Sequence, residues 1–308
     1  MLSKIIFMAK KLKVNHIYVF AHSNPDGDAK GSCMALVKYF QLYGFDSKYI
    51  LTKENSYLNG IFGEITTITD IGDERFISVI CDSSNKQICE NNLYERGIIT
   101  YKIDHHKNSE EFADENYINS KASSTCEIVW SMMNREMITP EIATYLYTGI
   151  YTDTGGFDYS LSESVFLACA DLIKRGANNV MIAKVVNSMG YHRAKMSGYI
   201  LLNYTSYADG LLGIVMSYKE CSKYHFTSKN VAKSVNVLKN IADVRIYFVA
   251  CEDYNGSYFV ELRSSESTNV DVSKIAIANG GGGHVHAAGF TAKNLKHVLA
   301  VLDMLKVL

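Results

Sequence analysis

The sequence predicts an α/β protein in which an N-terminal, mostly parallel-sheet domain is joined by a helical linker to a smaller C-terminal α/β domain. Three observations predict this. The chain has 308 residues, beyond the roughly 100–200 of one typical domain. In its first half, short apolar runs alternate with helical patterns, as strands joined by crossover helices do. After a strand-free stretch near residue 200, strands and helices start afresh. The expected boundaries are 1–186, 187–204 and 205–308.

Composition narrows the class. An apolar fraction of 47% is ordinary for a globular chain and supplies a core. The 31 basic and 32 acidic residues leave a net charge of −1, so there is no global basic field to hold long nucleic acid. Seven cysteines, at 33, 81, 89, 126, 169, 221 and 251, form no Cys-x-x-Cys pair. They read as buried free thiols of a reducing, cytoplasmic setting. No apolar run reaches the roughly 18 residues of a membrane span.

In chain order, "MLSKIIFMAKKLK" reads as an amphipathic helix, since lysines interrupt it and no small-residue cleavage site follows. "HIYVFA" (16–21) reads as a buried strand, and 28–43 as a helix stopped by Gly44. "KYILT" (48–52), "FISVIC" (76–81) and "IITYKI" (98–103) are further strands. Helices are expected near 124–134, 140–151 and 163–175, the last stopped by Gly176, and 187–204 is helical. Then "GLLGIVMSY" (210–218), "DVRIYFVAC" (243–251) and "SYFVELRS" (257–264) read as strands among helices near 228–241, 271–278 and 294–307.

Carboxylates and imidazoles gather where the first-half strands end. "HIYVFA" runs into His22, Asp26 and Asp28; "FISVIC" into Asp82; "IITYKI" into Asp104, His105 and His106. Ligands of an open parallel sheet collect outside the carboxyl ends of its strands. Asp153, in the glycine-rich turn "YTDTGGF", is a further candidate for that rim. A lone Asp-Gly-Asp is usually a solvated turn, but one strand end after another carrying such residues is not. So many acids at short range repel one another unless cations neutralise them. Asp and His without thiols suit Mn²⁺, Fe²⁺, Co²⁺ or Zn²⁺.

A second cluster is "NGGGGHVHAAGF", 279–290. Four consecutive glycines have no packing value of their own and cost folding entropy. Their backbone N–H groups can cradle phosphate oxygens. His284 and His286 stand beside them, and Arg263 ends a strand, where it could clamp a phosphate with two bonds.

With these residues assembled, the chain resembles the DHH phosphoesterase superfamily, named for the Asp-His-His found here at 104–106. It is most similar to the branch with a C-terminal DHH-associated domain. That branch holds bacterial oligoribonucleases that are also pAp phosphatases, and phosphodiesterases of cyclic di-AMP and pApA. The motifs run in the family's order: "HSNPDGDAKGS", "VICDSSN", "IDHH", "SSTCEIVW", "TDTGGF", then "LRS", "VDVSKIA", "GGGGH" and "AAGF".

The resemblance implies roles. His22, Asp26, Asp82 and Asp153 would hold one divalent metal, and Asp28, Asp82 and His105 a second, most simply both Mn²⁺. His106 would touch the scissile phosphate, with Asp104 orienting a neighbouring imidazole. Arg263, Gly281, Gly282, Gly283 and His284 would grip a substrate phosphate. Lys30, Lys86, Gln87, Gly156 and His286 depart from the family's usual residues and bear on substrate preference. The implied activity is two-metal hydrolysis of short oligoribonucleotides or pAp. Cyclic di-AMP or pApA hydrolysis is the alternative, with pyrophosphate hydrolysis or a non-catalytic nucleotide sensor further off. A short nucleotide is the expected partner, with no membrane, no long nucleic acid and room for a homodimer.

Overall fold

The computed structural model describes every residue except 54, 90, 91, 228, 229, 231–233, 266 and 308. It divides into two units, Met1–Ser188 and Met189–Leu308.

Unit 1 is built on five strands: β1 (His16–Phe20), β2 (Asp46–Tyr49), β3 (Phe76–Cys81), β4 (Thr100–Asp104) and β5 (Glu115–Ile118). Their order is β2-β1-β3-β4-β5, with every pair parallel. The crossovers and surrounding helices are α1 (Leu2–Lys11), α2 (Gly27–Leu42), α3 (Asn59–Phe62), α4 (Thr125–Met132), α5 (Pro140–Asp153), α6 (Glu163–Lys174) and α7 (Asn179–Asn187). Strand β3 is buried at all six positions, as expected of a parallel sheet covered on both faces. One core joins β1, β3 and β4 to α1, α2, α4 and α5; a smaller one lies around Tyr18, Phe20, Phe76 and Tyr94.

The sheet reverses direction of travel between β1 and β3, the switch point at which doubly wound folds bind ligands. Register aligns the exits: Phe20 pairs with Ile80, and Cys81 with Ile103. The residues following β1, β3 and β4 therefore leave the sheet at one level. Helix α2 lies close against α5 because glycines line the contact. A Cβ on Gly31 would meet the Tyr145 carbonyl oxygen at 2.6 Å, and one on Gly149 would meet Asp28 Oδ1 at 2.9 Å. Gly44 and Gly176 take left-handed φ of +86° and +98° where α2 and α6 stop.

Unit 2 opens with α8 (Tyr191–Asn203) and carries a six-stranded mixed sheet. Its strands are β6 (Thr205–Ala208), β7 (Leu211–Met216), β8 (Ile246–Glu252), β9 (Tyr258–Ser264), β10 (Gly282–His284) and β11 (Ala287–Ala292), ordered β10-β11-β9-β8-β7-β6. Only β7 and β8 pair in parallel among the described strands. Its described helices also include α9 (Tyr218–Lys223), α10 (Val272–Ala278) and α11 (Leu295–Leu305).

Three expectations need correction. The strand placed at 48–52 runs from 46 to 49, because pairing with β1 starts at Asp46. Of the helix expected near 228–241, Asn230 is helical, residues 235–238 form a 3₁₀ turn, and 228, 229 and 231–233 lie outside the described residues. Five cysteines are buried free thiols, but Cys221 and Cys251 bring their sulfurs together, with Cα atoms 7.1 Å apart. The spacing of these two, on α9 and β8, held no sign of that pairing. Among the described residues no helix is long and apolar enough to cross a membrane.

Candidate metal centre

The exits of β1, β3 and β4 converge with the end of α5. Three overlapping trios of ligand atoms each fit within 4.8 Å: His22, Asp26 and Asp82; Asp82, His105 and His106; and Asp28, His105 and Asp153. Asp82 is the hub. Its carboxylate lies 3.6 Å from His22 Nε2, 3.6 Å from His105 Nε2 and 3.7 Å from His106 Nδ1. It also takes a left-handed φ of +51° immediately after β3, a strained conformation of the kind that gathers at functional sites. Asp153, the last residue of α5, brings Oδ2 to 3.3 Å from His105 Nε2. All six metal-ligand candidates, with His106, thus meet in one place.

Local structure aims each group. Asp26 caps α2, its Oδ1 accepting the N–H groups of Asp28 and Ala29 at 2.9 and 3.1 Å. Asp28, buried in the first turn, accepts the N–H of Thr125 at 2.7 Å and that of Cys126 at 2.8 Å. The start of α4 therefore holds its carboxylate from behind, and Thr125 Oγ1 donates to Asp82 at 3.2 Å. The sequence reading gave these two residues no role. The signal was in "SSTCE", where Ser124 caps the helix.

Asp104 is wholly buried and accepts from His106 Nδ1 at 2.7 Å, from the His105 N–H at 2.9 Å and from Ser109 Oγ. Burial alone would raise its pKa, but the bonds from His106 and Ser109 outweigh that and hold it near 2. The imidazole that Asp104 orients is thus His106. That bond in turn lifts the His106 pKa to about 9 against the opposing effect of burial. Lys102, also wholly buried, bonds Ser109 Oγ at 2.7 Å and backs the same carboxylate at 3.6 Å.

The remaining acids are held against their preference. Burial first, then the neighbouring Asp82 carboxylate, raises the pKa of Asp28 well above the ordinary range and that of Asp153 to about 8. Burial lowers His105 toward its neutral, ligating form. Crowded oxygens that resist ionising together, with a neutral imidazole among them, fit hard or borderline divalent cations, which would remove the repulsion. The donors therefore fit the two cations that the resemblance implies.

Lys30, where the family more often has an apolar residue, has a structural task. Its buried ammonium donates to the carbonyls of Asn55 and Tyr57 at 2.8 and 2.5 Å, and Asn55 Nδ2 donates to the Pro25 carbonyl at 3.1 Å. Through this chain Lys30 fixes the turn that carries Asp26. Lys30→Met is expected to strand two carbonyls, at about 1–3 kcal/mol each, and to weaken Mn²⁺ binding severalfold. Calorimetric titration of the variant checks this; unchanged affinity with an unchanged melting temperature would show that the turn holds without it. Gly156, often arginine in the oligoribonuclease branch, sits at φ +76° with the Tyr151 ring at its back. A side chain there would be strained.

In unit 2 the last two of the four glycines, Gly282 and Gly283, lie in a strand, and Gly280 and Gly281 precede it. Residues 282–284 are β10, and a Cβ on Gly281 or Gly283 would strike the Gly289 carbonyl oxygen at 2.1 Å or that of Ala287 at 2.4 Å. The expectation that they have no packing value is corrected: close approach to β11 demands glycine at both. Register aligns Arg263, Ala287 and His284 across β9, β11 and β10. Side chains directly opposite share a face, so only the methyl of Ala287 lies between the guanidinium and the imidazole. Arg263 Nη1 bonds Glu261 Oε2 at 2.7 Å and the Leu262 carbonyl at 2.8 Å. His286 instead bonds Ser264 Oγ through Nδ1 at 2.9 Å, which ties β11 to β9.

Comparison with known proteins bears directly on these two units. Residues 16–150 match the N-terminal domain of the DHH family, and residues 213–307 match the DHHA1 domain. The chain belongs to the DHH family. It is 28% identical over 294 residues to a probable bifunctional oligoribonuclease and PAP phosphatase, NrnA, of Streptococcus mutans, covering 94% of this chain and 93% of that one. It is 23% identical to the cyclic-di-AMP phosphodiesterase GdpP of Bacillus subtilis, over 95% of this chain but 47% of that one. In fold it is similar to an exopolyphosphatase-related protein of Bacteroides fragilis, with a TM-score of 0.83 at 24% identity, covering 99% and 97% of the two chains. As a member of this family with these relatives, the chain is a phosphoric ester hydrolase of the phosphodiesterase or phosphatase kind.

Proposed function

We propose that this DHH protein uses two divalent cations, Mn²⁺ foremost, to hydrolyse short oligoribonucleotides and pAp. The observation that carries the reading is the meeting of seven acidic and imidazole side chains, Asp82 at their centre. The NrnA relative, matched along nearly its whole length, supports the substrate class. The GdpP match favours cyclic di-AMP as a second reading, with pApA as the linear dinucleotide of the same class.

His22, Asp26, Asp28, Asp82, His105 and Asp153 would hold the cations, with Asp82 facing both. Such a pair supplies a hydroxide near neutral pH and offsets charge on the phosphoryl oxygens. The chain's own residues do the rest. Asp104 accepts the Nδ1 proton of His106, which leaves Nε2 as the outward donor. With a pKa of about 9 the ring carries both protons at neutral pH. It donates to a phosphoryl oxygen or protonates the departing alkoxide. Serine and cysteine nucleophiles have no part; Ser109 and Ser124 are spent on Asp104 and on capping α4.

Arg263 and His284 would grip a second phosphate. Arg263→Ala is expected to raise KM at least tenfold for substrates with a terminal phosphate and to leave a chromogenic phosphodiester nearly unchanged. Equal effects on both would remove the anchoring role. The reading as a whole is tested by side-by-side turnover of pAp, pApA, a short RNA ladder and cyclic di-AMP with Mn²⁺. Turnover of none of them would end it.

A further inference from the structure

Outside the metal centre, unit 2 contains a cavity of about 310 Å³ that the hydrolytic scheme does not use. Its floor is Met196, Phe226 and Ser234, all buried, and its rim is Tyr191, His192, Arg193 and His225, all exposed. Two features mark it as more than a surface dent. The first turn of α8, a helix of 13 residues, forms one wall; Gly190 caps that helix without a side-chain bond, and no acid stands in the turn. Its positive end is therefore offered to an anion, with His192 and Arg193 beside it. Independently, the Ser234 hydroxyl on the floor is 1% exposed and has no hydrogen-bond partner among the described residues. A buried hydroxyl left unpaired costs about 1–3 kcal/mol, a cost that a ligand reaching the floor would relieve.

The lining joins two chemistries. Phe226 and Met196 offer an apolar surface to a planar ring, with Tyr191 exposed at the rim. The helix terminus offers positive charge, and the rings of His192 and His225 offer N–H donors beside it. A planar ring carrying a phosphate satisfies both. We propose that this cavity binds a nucleoside monophosphate moiety, its phosphate at the start of α8 and its base over Phe226, with Ser234 bonding the base edge or the ribose. That the ring is a nucleobase rests on the function proposed above; the cavity and its charge do not. The moiety is either free mononucleotide, the product of hydrolysis, or the terminal nucleotide of an oligonucleotide.

The test is calorimetric titration of the full chain in EDTA, so that binding is read without turnover. The chain carries Arg263→Ala and His284→Ala to remove the glycine-strand anchor. AMP is expected to bind one site, and adenosine or inorganic phosphate at least tenfold more weakly. Ser234→Leu, which fills the floor, and the rim pair His192→Ala with His225→Ala, which leaves the core intact, are each expected to weaken AMP at least tenfold. pApA binding no tighter than AMP assigns the cavity to free mononucleotide; pApA at least tenfold tighter assigns it to an oligonucleotide end. No heat with millimolar AMP, or AMP binding unchanged in the rim pair, overturns the proposal. Since metal and turnover are absent, either failure leaves the hydrolytic reading standing, and loss of turnover elsewhere leaves the cavity standing.

Discussion

Asp82→Asn is expected to lower kcat by about 10³-fold or more in saturating Mn²⁺, at least the loss caused by removing one transition-state donor. Asp82 is within 3.7 Å of three imidazoles and belongs to two of the three ligand trios, so its removal injures both cation sites together. Asparagine is the informative replacement, because it tolerates the left-handed φ of +51° that residue 82 adopts. The same change has the opposite effect on the metal-free protein. There the Asp82 carboxylate raises the pKa of Asp26, Asp28 and Asp153, a mark of repulsion within the cluster. In EDTA, Asp82→Asn is therefore expected to melt above the wild type, and in Mn²⁺ below it. Steady-state kinetics and two melting curves check both halves. A variant that melts lower in both conditions would mean that Asp82 is a structural acid.

Asp104→Asn is expected to cut kcat/KM by about 10²–10³-fold, as loss of a preorganised donor does, and to move the alkaline limb of the pH profile toward acid. The sign follows from the bond. The Asp104 carboxylate lifts His106 to about 9, and a neutral amide cannot hold that proton. His106 would then deprotonate nearer its unperturbed value of about 6.5. Linkage gives a second readout. A histidine raised in the folded state adds stability that is fully present below about pH 6.5 and lost as pH rises through about 9. That dependence should vanish in the variant. His106→Ala should lose the limb altogether. An unmoved limb in Asp104→Asn would show that His106 is not the group titrating.

Much of this was legible in the sequence because strand ends are easy to read. "HIYVFA", "FISVIC" and "IITYKI" are apolar runs with sharp polar stops, and the stops carry the ligands. What adjacency in sequence does not encode is which exits become level, and that came from register: Phe20 against Ile80, Cys81 against Ile103. The supports escaped for a different reason. Thr125 and Cys126 reach Asp28 through backbone N–H groups, which any residue type supplies. Lys30 and Lys102 are wholly buried, against the usual habit of lysine. Strand β5, "ENYI", and β6, "TSYA", are polar edge strands without the apolar signature. The glycines of 280–283 read as residues without packing value because the reason for Gly281 and Gly283, the nearness of β11, lies in another segment.

Six side chains drawn from four separate segments are proposed to hold the pair of cations. Equilibrium binding of Mn²⁺ to the metal-stripped full chain, counted per chain alongside Asp82→Asn, tests this most directly. Two equivalents are expected for the wild type and a lower count for the variant. A wild type that takes up one equivalent or none at millimolar Mn²⁺, or a variant that binds as many as the wild type, would contradict it.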